Sequence, residues 1–284
     1  MEETDLFGNP IVKDVLLRDK FLEPPFSILD SKTASWQNRK RQWINKGIKS
    51  EIGRKENLLQ FSETSSLGEK DSSIFDPALT ELMYNWFCPE KGMILDPFAG
   101  GSVRGIVANY LGFNYTGIEL RQEQVDSNRE QAIKLLPVNN QPQWYCGDSE
   151  KVLSESWQHQ FDMIFSCPPY ADLEVYSDLP DDLSNMDYKA FATKYRTIIG
   201  KALKLLKRDC YAVFVVGEVR DKDGFYYDFV GDTKRAFIEQ GAKLYNDCVL
   251  LNAVGTASLR APRIFGSNKK VVKIHQNVLV FKKI

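Results

Sequence analysis

The chain has 284 residues, 43% of them hydrophobic and 12% aromatic. That is enough to bury a sizeable core, and it excludes disordered, collagenous and low-complexity classes. A formal net charge of -1 argues against a uniformly basic nucleic-acid coat, and no apolar run reaches the roughly 18 residues of a membrane span.

Cysteines 88, 146, 167, 210 and 248 form no CxxC pair and no Cys/His cluster, and the only histidines are 159 and 275. No metal site is expected, and a reducing compartment fits. The start, MEETDLFGNP, is acidic and has no apolar segment, so no signal peptide is expected there.

Charge is segregated along the chain. Residues 31–60 carry eight Lys/Arg against two acids, residues 257–284 carry seven Lys/Arg and no acid, and residues 171–187 carry six acids and no base. Two readings stay open for each basic run: a surface for a polyanion, or an ordinary solvated face.

Residues 1–70 are polar and lack a repeating apolar period, and 62–73 (SETSSLGEKDSS) reads as a linker. Trp36 and Trp43, seven apart, share a face if the segment is helical. They are then either core or interleaved with Arg39, Lys40 and Arg41 at a nucleic-acid surface. From residue 74 the pattern becomes an alternation of helices and buried strands. A helix is predicted over 78–87, a strand over 93–95 and a helix from 103 to Gly112. Next come a strand over 115–120, a helix over 122–136 and strands over 144–146 and 161–166. A helix over 190–207, a strand over 210–216, a helix over 230–240 and strands over 243–251 and 277–282 complete the series. No helix is expected between the last two strands, which would form an antiparallel edge hairpin. The segment between them, 252–270, reads as a basic Gly/Ser-rich loop. The fold expected is α/β, a doubly wound, mostly parallel sheet covered on both faces, with an N-terminal extension. A catalytic domain over 73–284 would follow a basic extension over 1–72.

Ligands of such sheets sit beyond the carboxyl ends of the strands. Four successive predicted strand ends carry Asp96, Glu119, Asp148 and Cys167-Pro168-Pro169-Tyr170. The turn Asp96-Pro97-Phe98-Ala99-Gly100-Gly101-Ser102 is neither GxGxxG nor a P-loop, so dinucleotide and nucleoside-triphosphate readings are weak. A carboxylate at Glu119 suits the two hydroxyls of a ribose, and Asp148 suits an adenine amino group. The plainer alternative is that these acids cap the helices that follow.

DPFAGGS at 96–102, IEL at 118–120, GD at 147–148 and CPPY at 167–170 resemble the amino-group DNA methyltransferases, which modify adenine N6 or cytosine N4 and have the class I methyltransferase fold. The resemblance covers roughly 73–284. It extends to SIFDP at 73–77, which is similar to the segment that places Phe75 at the cofactor, and to the last strand, 275–282. PFSILD (25–30) with IKSEIGRKENLL (48–59) is similar to methylases of phages and actinobacteria. The resemblance implies S-adenosyl-L-methionine as cofactor. Residues 96–102 would cradle its methionine part, Glu119 and Leu120 would hold the ribose and Asp148 would lie near the adenine. It further implies a base taken out of the duplex, stacked on Tyr170, with its amine held by the Pro168 carbonyl and the first residue of the motif.

That first residue is here Cys167, where the family has Asp, Asn or Ser. Three readings compete: a weak acceptor in place of oxygen, an inactive or repurposed site, or a nucleophile for carbon-5 methylation. The last is disfavoured, since carbon-5 enzymes place Cys after Pro-Pro and this chain has only Gly217-Glu218-Val219 where they carry Glu-Asn-Val. DNA contacts are expected to be to the phosphate backbone, from Arg39, Lys40 and Arg41 and from Arg260, Arg263, Lys269 and Lys270. The expected setting is the cytoplasm of a bacterial or phage-infected cell, as monomer or homodimer, with or without a companion restriction enzyme. RNA or a protein glutamine amide as substrate, and a catalytically inert DNA-binding relative, are the alternatives.

Overall fold

The computed structural model describes residues 23–49, 75–153, 157, 160–170, 179, 181–252, 254, 255 and 257–284. Much of the expected extension lies outside these, including most of 48–59 with Arg54 and Lys55. So do Ser73, Ile74, His159 and residues 171–178 and 180 of the acidic run at 171–187.

Eight strands form one sheet: β1 (Ile28–Asp30), β2 (Met93–Asp96), β3 (Asn114–Glu119), β4 (Gln143–Cys146), β5 (Phe161–Ser166), β6 (Leu206–Val216), β7 (Ala242–Leu251) and β8 (His275–Lys283). Their order is β1-β7-β8-β6-β5-β2-β3-β4. All pairings are parallel except those of β8, which runs antiparallel to both β6 and β7. The expected doubly wound sheet and antiparallel pair are therefore present. Outside that pair lies β1, which adds a strand that the polar N-terminal region did not announce.

Eight α-helices flank the sheet among the described residues: α1 (Ala34–Asn45), α2 (Pro77–Phe87), α3 (Val103–Tyr110), α4 (Gln122–Leu135), α5 (Ser149–Val152), α6 (Tyr188–Leu205), α7 (Phe229–Glu239) and α8 (Ala257–Asn268). Alternation along the strands splits the core in two. Ile94, Met163, Phe165, Val213, Val215, Val278 and Val280 face one side, with Leu79, Tyr84, Ile106 and Val107 from α2 and α3. Leu95, Ile164, Ala212, Phe214, Val216, Leu279 and Phe281 face the other, with Phe191, Tyr195 and Ile199 from α6 and Phe237 from α7. Phe237 stacks on Phe281 with ring centroids 4.0 Å apart.

Residues 28–48 join this core. Trp36 and Trp43 are 3% and 1% exposed and belong to the first cluster. Helix α1 starts at the Thr33 cap and docks on α2 through polar contacts. Trp36 Nε1 donates to Asp76 at 3.1 Å and Trp43 Nε1 to Glu81 at 2.6 Å. The helix α8 corrects the expectation of a loop over 252–270 and of no helix between the last strands. Leu259, Arg260, Ala261, Arg263, Ile264 and Phe265 are adequate helix formers, and the interior Pro262 removes one backbone donor without ending the helix.

Candidate functional site

The strand order reverses beside β2, which pairs with β3 on one side and β5 on the other. The carboxyl ends of the parallel strands open there on a cavity of about 670 Å³, at the switch point where doubly wound sheets take ligands. Because β8 runs the other way, its first residues reach the same rim.

The turn after β2 is held from beneath. Asp96 is fully buried, and its carboxylate accepts from Phe98 N at 3.1 Å, Ser166 Oγ at 2.6 Å, Arg104 Nε at 2.5 Å and Tyr115 OH at 2.8 Å. The carbonyls of the turn are bound in sequence. Ser149 Oγ donates to Pro97, Arg104 to both Phe98 and Ala99, and Asn128 to Gly100. The result is a preorganised loop whose open side faces the cavity. Gly100 has φ +54°, and a Cβ there would meet nothing within 4 Å, so any side chain would both strain the backbone and fill the space.

Pro97, Phe98, Ala99, Gly100, Gly101, Glu119, Leu120, Asp148 and Phe75 all line the cavity. Asp96 and Ser102, expected at the cofactor, do not. Asp96 is consumed by its four partners, and Ser102 Oγ donates to Gln131 at 2.9 Å. Both hold the loop from behind.

Glu119 accepts from Arg121 N at 3.0 Å and lies 3.5 Å from the Arg121 guanidinium. Burial raises its pKa, against the pull of Arg121 and of the Gly100 amide, so its carboxylate gains from further donors. Asp148 caps a helix, the plainer reading of it, and also lines the cavity. One oxygen caps α5 through Glu150 N at 3.0 Å. The other lies 3.0 Å from the Lys194 ammonium but receives no aligned hydrogen bond among the described residues.

Beyond β5, Cys167, Pro168, Pro169 and Tyr170 form the next stretch of wall. Cys167 Sγ lies 3.9 Å from Tyr170 OH. The Tyr170 hydroxyl receives Gln276 Nε2 at 2.5 Å, and its ring meets Phe229 edge-on at 6.0 Å. Further wall residues include Lys40, expected as a DNA contact, and others not singled out as cavity residues from the sequence: Ser31 and Gln37 from the N-terminal segment, Asp181 and Asp182, Glu218 after β6, Asn252 after β7, Lys273 before β8, and His275 and Gln276 at its start. A terminal strand was legible there. Its antiparallel pairing was expected too, but its insertion between β6 and β7, with residues 273–276 at the rim, was not.

The candidate DNA contacts separate. Arg39 is drawn into the fold by Glu81, which is 2% exposed and takes Arg39 Nε at 2.6 Å, and its guanidinium lies over Trp43. It is a docking residue and not a free phosphate contact. Lys40 lines the cavity, 3.8 Å from Asp76. Arg41 is exposed and bonds Asn38. Arg260 and Arg263 stand exposed on α8 beside Leu259, 80% exposed, and Phe265, 49% exposed. Lys269 sits over the Phe265 ring.

Among the described residues no group of three or more His, Cys, Asp and Glu could hold a metal ion, and no helix is long and apolar enough to cross a membrane.

No family model and no curated protein matches the chain. Solved structures do. TrmN from Thermus thermophilus is 14% identical with a TM-score of 0.51, over 74% of this chain and 49% of that one, so the chain spans about half of TrmN's length. A candidate RNA methyltransferase from Pyrococcus horikoshii is 15% identical with a TM-score of 0.52, over 87% of this chain and 99% of that one. At such identities the likeness establishes the fold: the chain has the Rossmann-like fold of class I methyltransferases.

Proposed function

We propose that the chain is an S-adenosylmethionine-dependent methyltransferase acting on the exocyclic amino group of adenine or cytosine in DNA. One observation carries this reading. A single cavity joins the Gly100, Glu119 and Asp148 row to the Cys167–Tyr170 wall, so a methyl donor on the first half would lie next to a base on the second.

The residues of the first half suit that donor. The bare Gly100 backbone leaves room for its methionine part, the desolvated Glu119 carboxylate accepts from vicinal hydroxyls, and Asp148 at the wall would accept from an amino group with the oxygen that faces Lys194. When bound, S-adenosylmethionine supplies an electrophilic methyl group on a sulfonium. The chain must then make a poor nucleophile attack it, since the amine lone pair is delocalised into the ring. The Pro168 carbonyl and, more weakly, Cys167 Sγ accept from the amine hydrogens and localise the pair. Tyr170, fixed by Gln276 and Phe229, offers a face on which the base stacks. Arg41, Arg260, Arg263, Lys269 and Lys270 supply contacts to the phosphate backbone.

Tritiated S-adenosylmethionine offered with DNA, RNA and protein separately tests the proposal. Label in DNA is expected; label only in RNA or only in protein would replace it with one of those substrates.

A further inference from the structure

Beyond Tyr170 the cavity is lined by Lys40, Lys273 and His275 together with Asp76 and Glu218. Lys273 lies just before β8, three residues from the Gln276 that holds Tyr170. Among the described residues no hydrogen bond or ion pair engages its ammonium, and burial lowers its pKa, with Glu218 alone acting against that. Glu218 acts on it through space without an ion-pair contact, and both acids of this side are engaged by backbone amides. Glu218 caps α7, accepting from Phe229 N at 3.0 Å and Val230 N at 3.3 Å. Asp76 caps α2, accepting from Ala78 N at 2.9 Å and Leu79 N at 3.3 Å, and also takes the Trp36 indole.

Lys40 lines the same cavity from α1, 3.8 Å from Asp76. Hydrogen bonds make the rim continuous. Asn252 N bonds Ile274 O at 3.0 Å, Ser31 Oγ bonds Leu251 O at 2.6 Å, and Gln37 Nε2 bonds Ser31 O at 2.6 Å. His275, whose pKa is lowered by burial and then by Lys273, is neutral near pH 7 and offers a ring N–H.

We propose that Lys273, with Lys40 and His275, forms a subsite for a phosphate of the polynucleotide next to the base stacked on Tyr170. The proposal rests on the reading of the cavity as a site of base methylation. A nucleotide presents its phosphates one sugar away from its base, and Lys273 and His275 line the same cavity within three residues of the Gln276 that holds Tyr170. An anion there would pair a partly desolvated cation that no carboxylate contacts among the described residues. A protein amide substrate brings no such charge.

The test is calorimetric titration of the intact chain with 2′-deoxyadenosine, 2′-deoxycytidine and their 3′- and 5′-monophosphates, with S-adenosylhomocysteine as a separate titrant. A monophosphate is expected to bind about 10- to 150-fold more tightly than its nucleoside. Lys273→Gln should erase that advantage and Lys273→Arg should keep most of it. Both variants should melt as the parent does and bind S-adenosylhomocysteine unchanged. Equal affinity for nucleoside and monophosphate, or an advantage that survives Lys273→Gln, would overturn the subsite. If S-adenosylhomocysteine binds all the same, the methyltransferase reading stands without the subsite. If nucleotides bind in a Lys273-dependent way and S-adenosylhomocysteine does not, the subsite stands and that reading fails. Ribonucleotides run in parallel separate RNA from DNA as the source of the phosphate.

Discussion

Cys167 sits at the wall where an amine would be methylated, and a thiol accepts hydrogen bonds less well than a hydroxyl. If it stands in for an oxygen acceptor, Cys167→Ser keeps or raises turnover and Cys167→Ala costs only a modest factor. A nucleophilic role predicts the opposite, because a hydroxyl without an adjacent base is far less reactive than a thiolate. Initial-rate assays with saturating DNA decide, and an inactive Cys167→Ser would remove the acceptor reading.

Glu119 makes a second prediction, with two signs. Burial raises its pKa above the 4.5 of a free carboxyl. The folded chain therefore holds a proton that the unfolded chain has released. The stability that this contributes is present below about pH 4.5 and is lost as pH rises through the folded value. Near neutrality the buried ion is a liability, so Glu119→Gln should melt no lower than the parent. Its affinity for S-adenosylmethionine should fall about 10- to 150-fold. Calorimetry and thermal melts measure the two. Unchanged affinity rejects the ribose role.

The strand-end acids were legible in the sequence, but the division of labour among them was not. Asp96 spends its carboxylate on Arg104, Tyr115 and Ser166, the last 70 residues away, and nothing in the local pattern distinguishes that from Glu119 at the cavity wall.

At the scale of elements, α1 explains why periodicity underread the N-terminal region. The helix presents only Trp36 and Trp43 as buried residues. It is fixed less by an apolar stripe than by hydrogen bonds to Asp76 and Glu81, about 40 residues on. Arg39→Ala leaves the buried Glu81 with less charge compensation and should cost about 1–3 kcal/mol. It should leave the salt dependence of DNA binding unchanged. Denaturant unfolding and binding at several salt concentrations check both parts; a shallower salt slope would return Arg39 to the DNA surface.

The strands and the amphipathic helices after residue 74 were legible because each buries a clean face. Helix α8 was not. Its Ser, Gly and Pro residues resemble a loop, and only the ends of β7 and β8 fix where it runs. It leaves Arg260, Arg263, Leu259 and Phe265 exposed. Charge reversal at Arg260, Arg263, Lys269 and Lys270 should weaken binding on all DNA sequences alike. It should also flatten the salt slope by about 0.9 for every phosphate that is no longer neutralised. Unaltered binding would make these residues a solvated face.

Across the whole molecule, a chain close to neutral exposes Arg260 and Arg263 on α8, while Arg104, Arg121 and Lys194 beside the cavity are paired within the fold. The sheet order accounts for this placement. Its reversal beside β2 opens the cavity, and the antiparallel β8 returns the last basic stretch to it. The class of fold followed from alternating buried strands. The composition of the far wall depended on the place of β8 between β6 and β7, which hydrophobic pattern does not encode.

The central claim, methyl transfer to an exocyclic amine of DNA, is tested most directly by mass spectrometry of nucleosides from DNA incubated with the chain and methyl-deuterated S-adenosylmethionine. The account predicts labelled N6-methyldeoxyadenosine or N4-methyldeoxycytidine. Labelled 5-methyldeoxycytidine, or no labelled nucleoside from DNA while RNA or protein takes up the label, would contradict it.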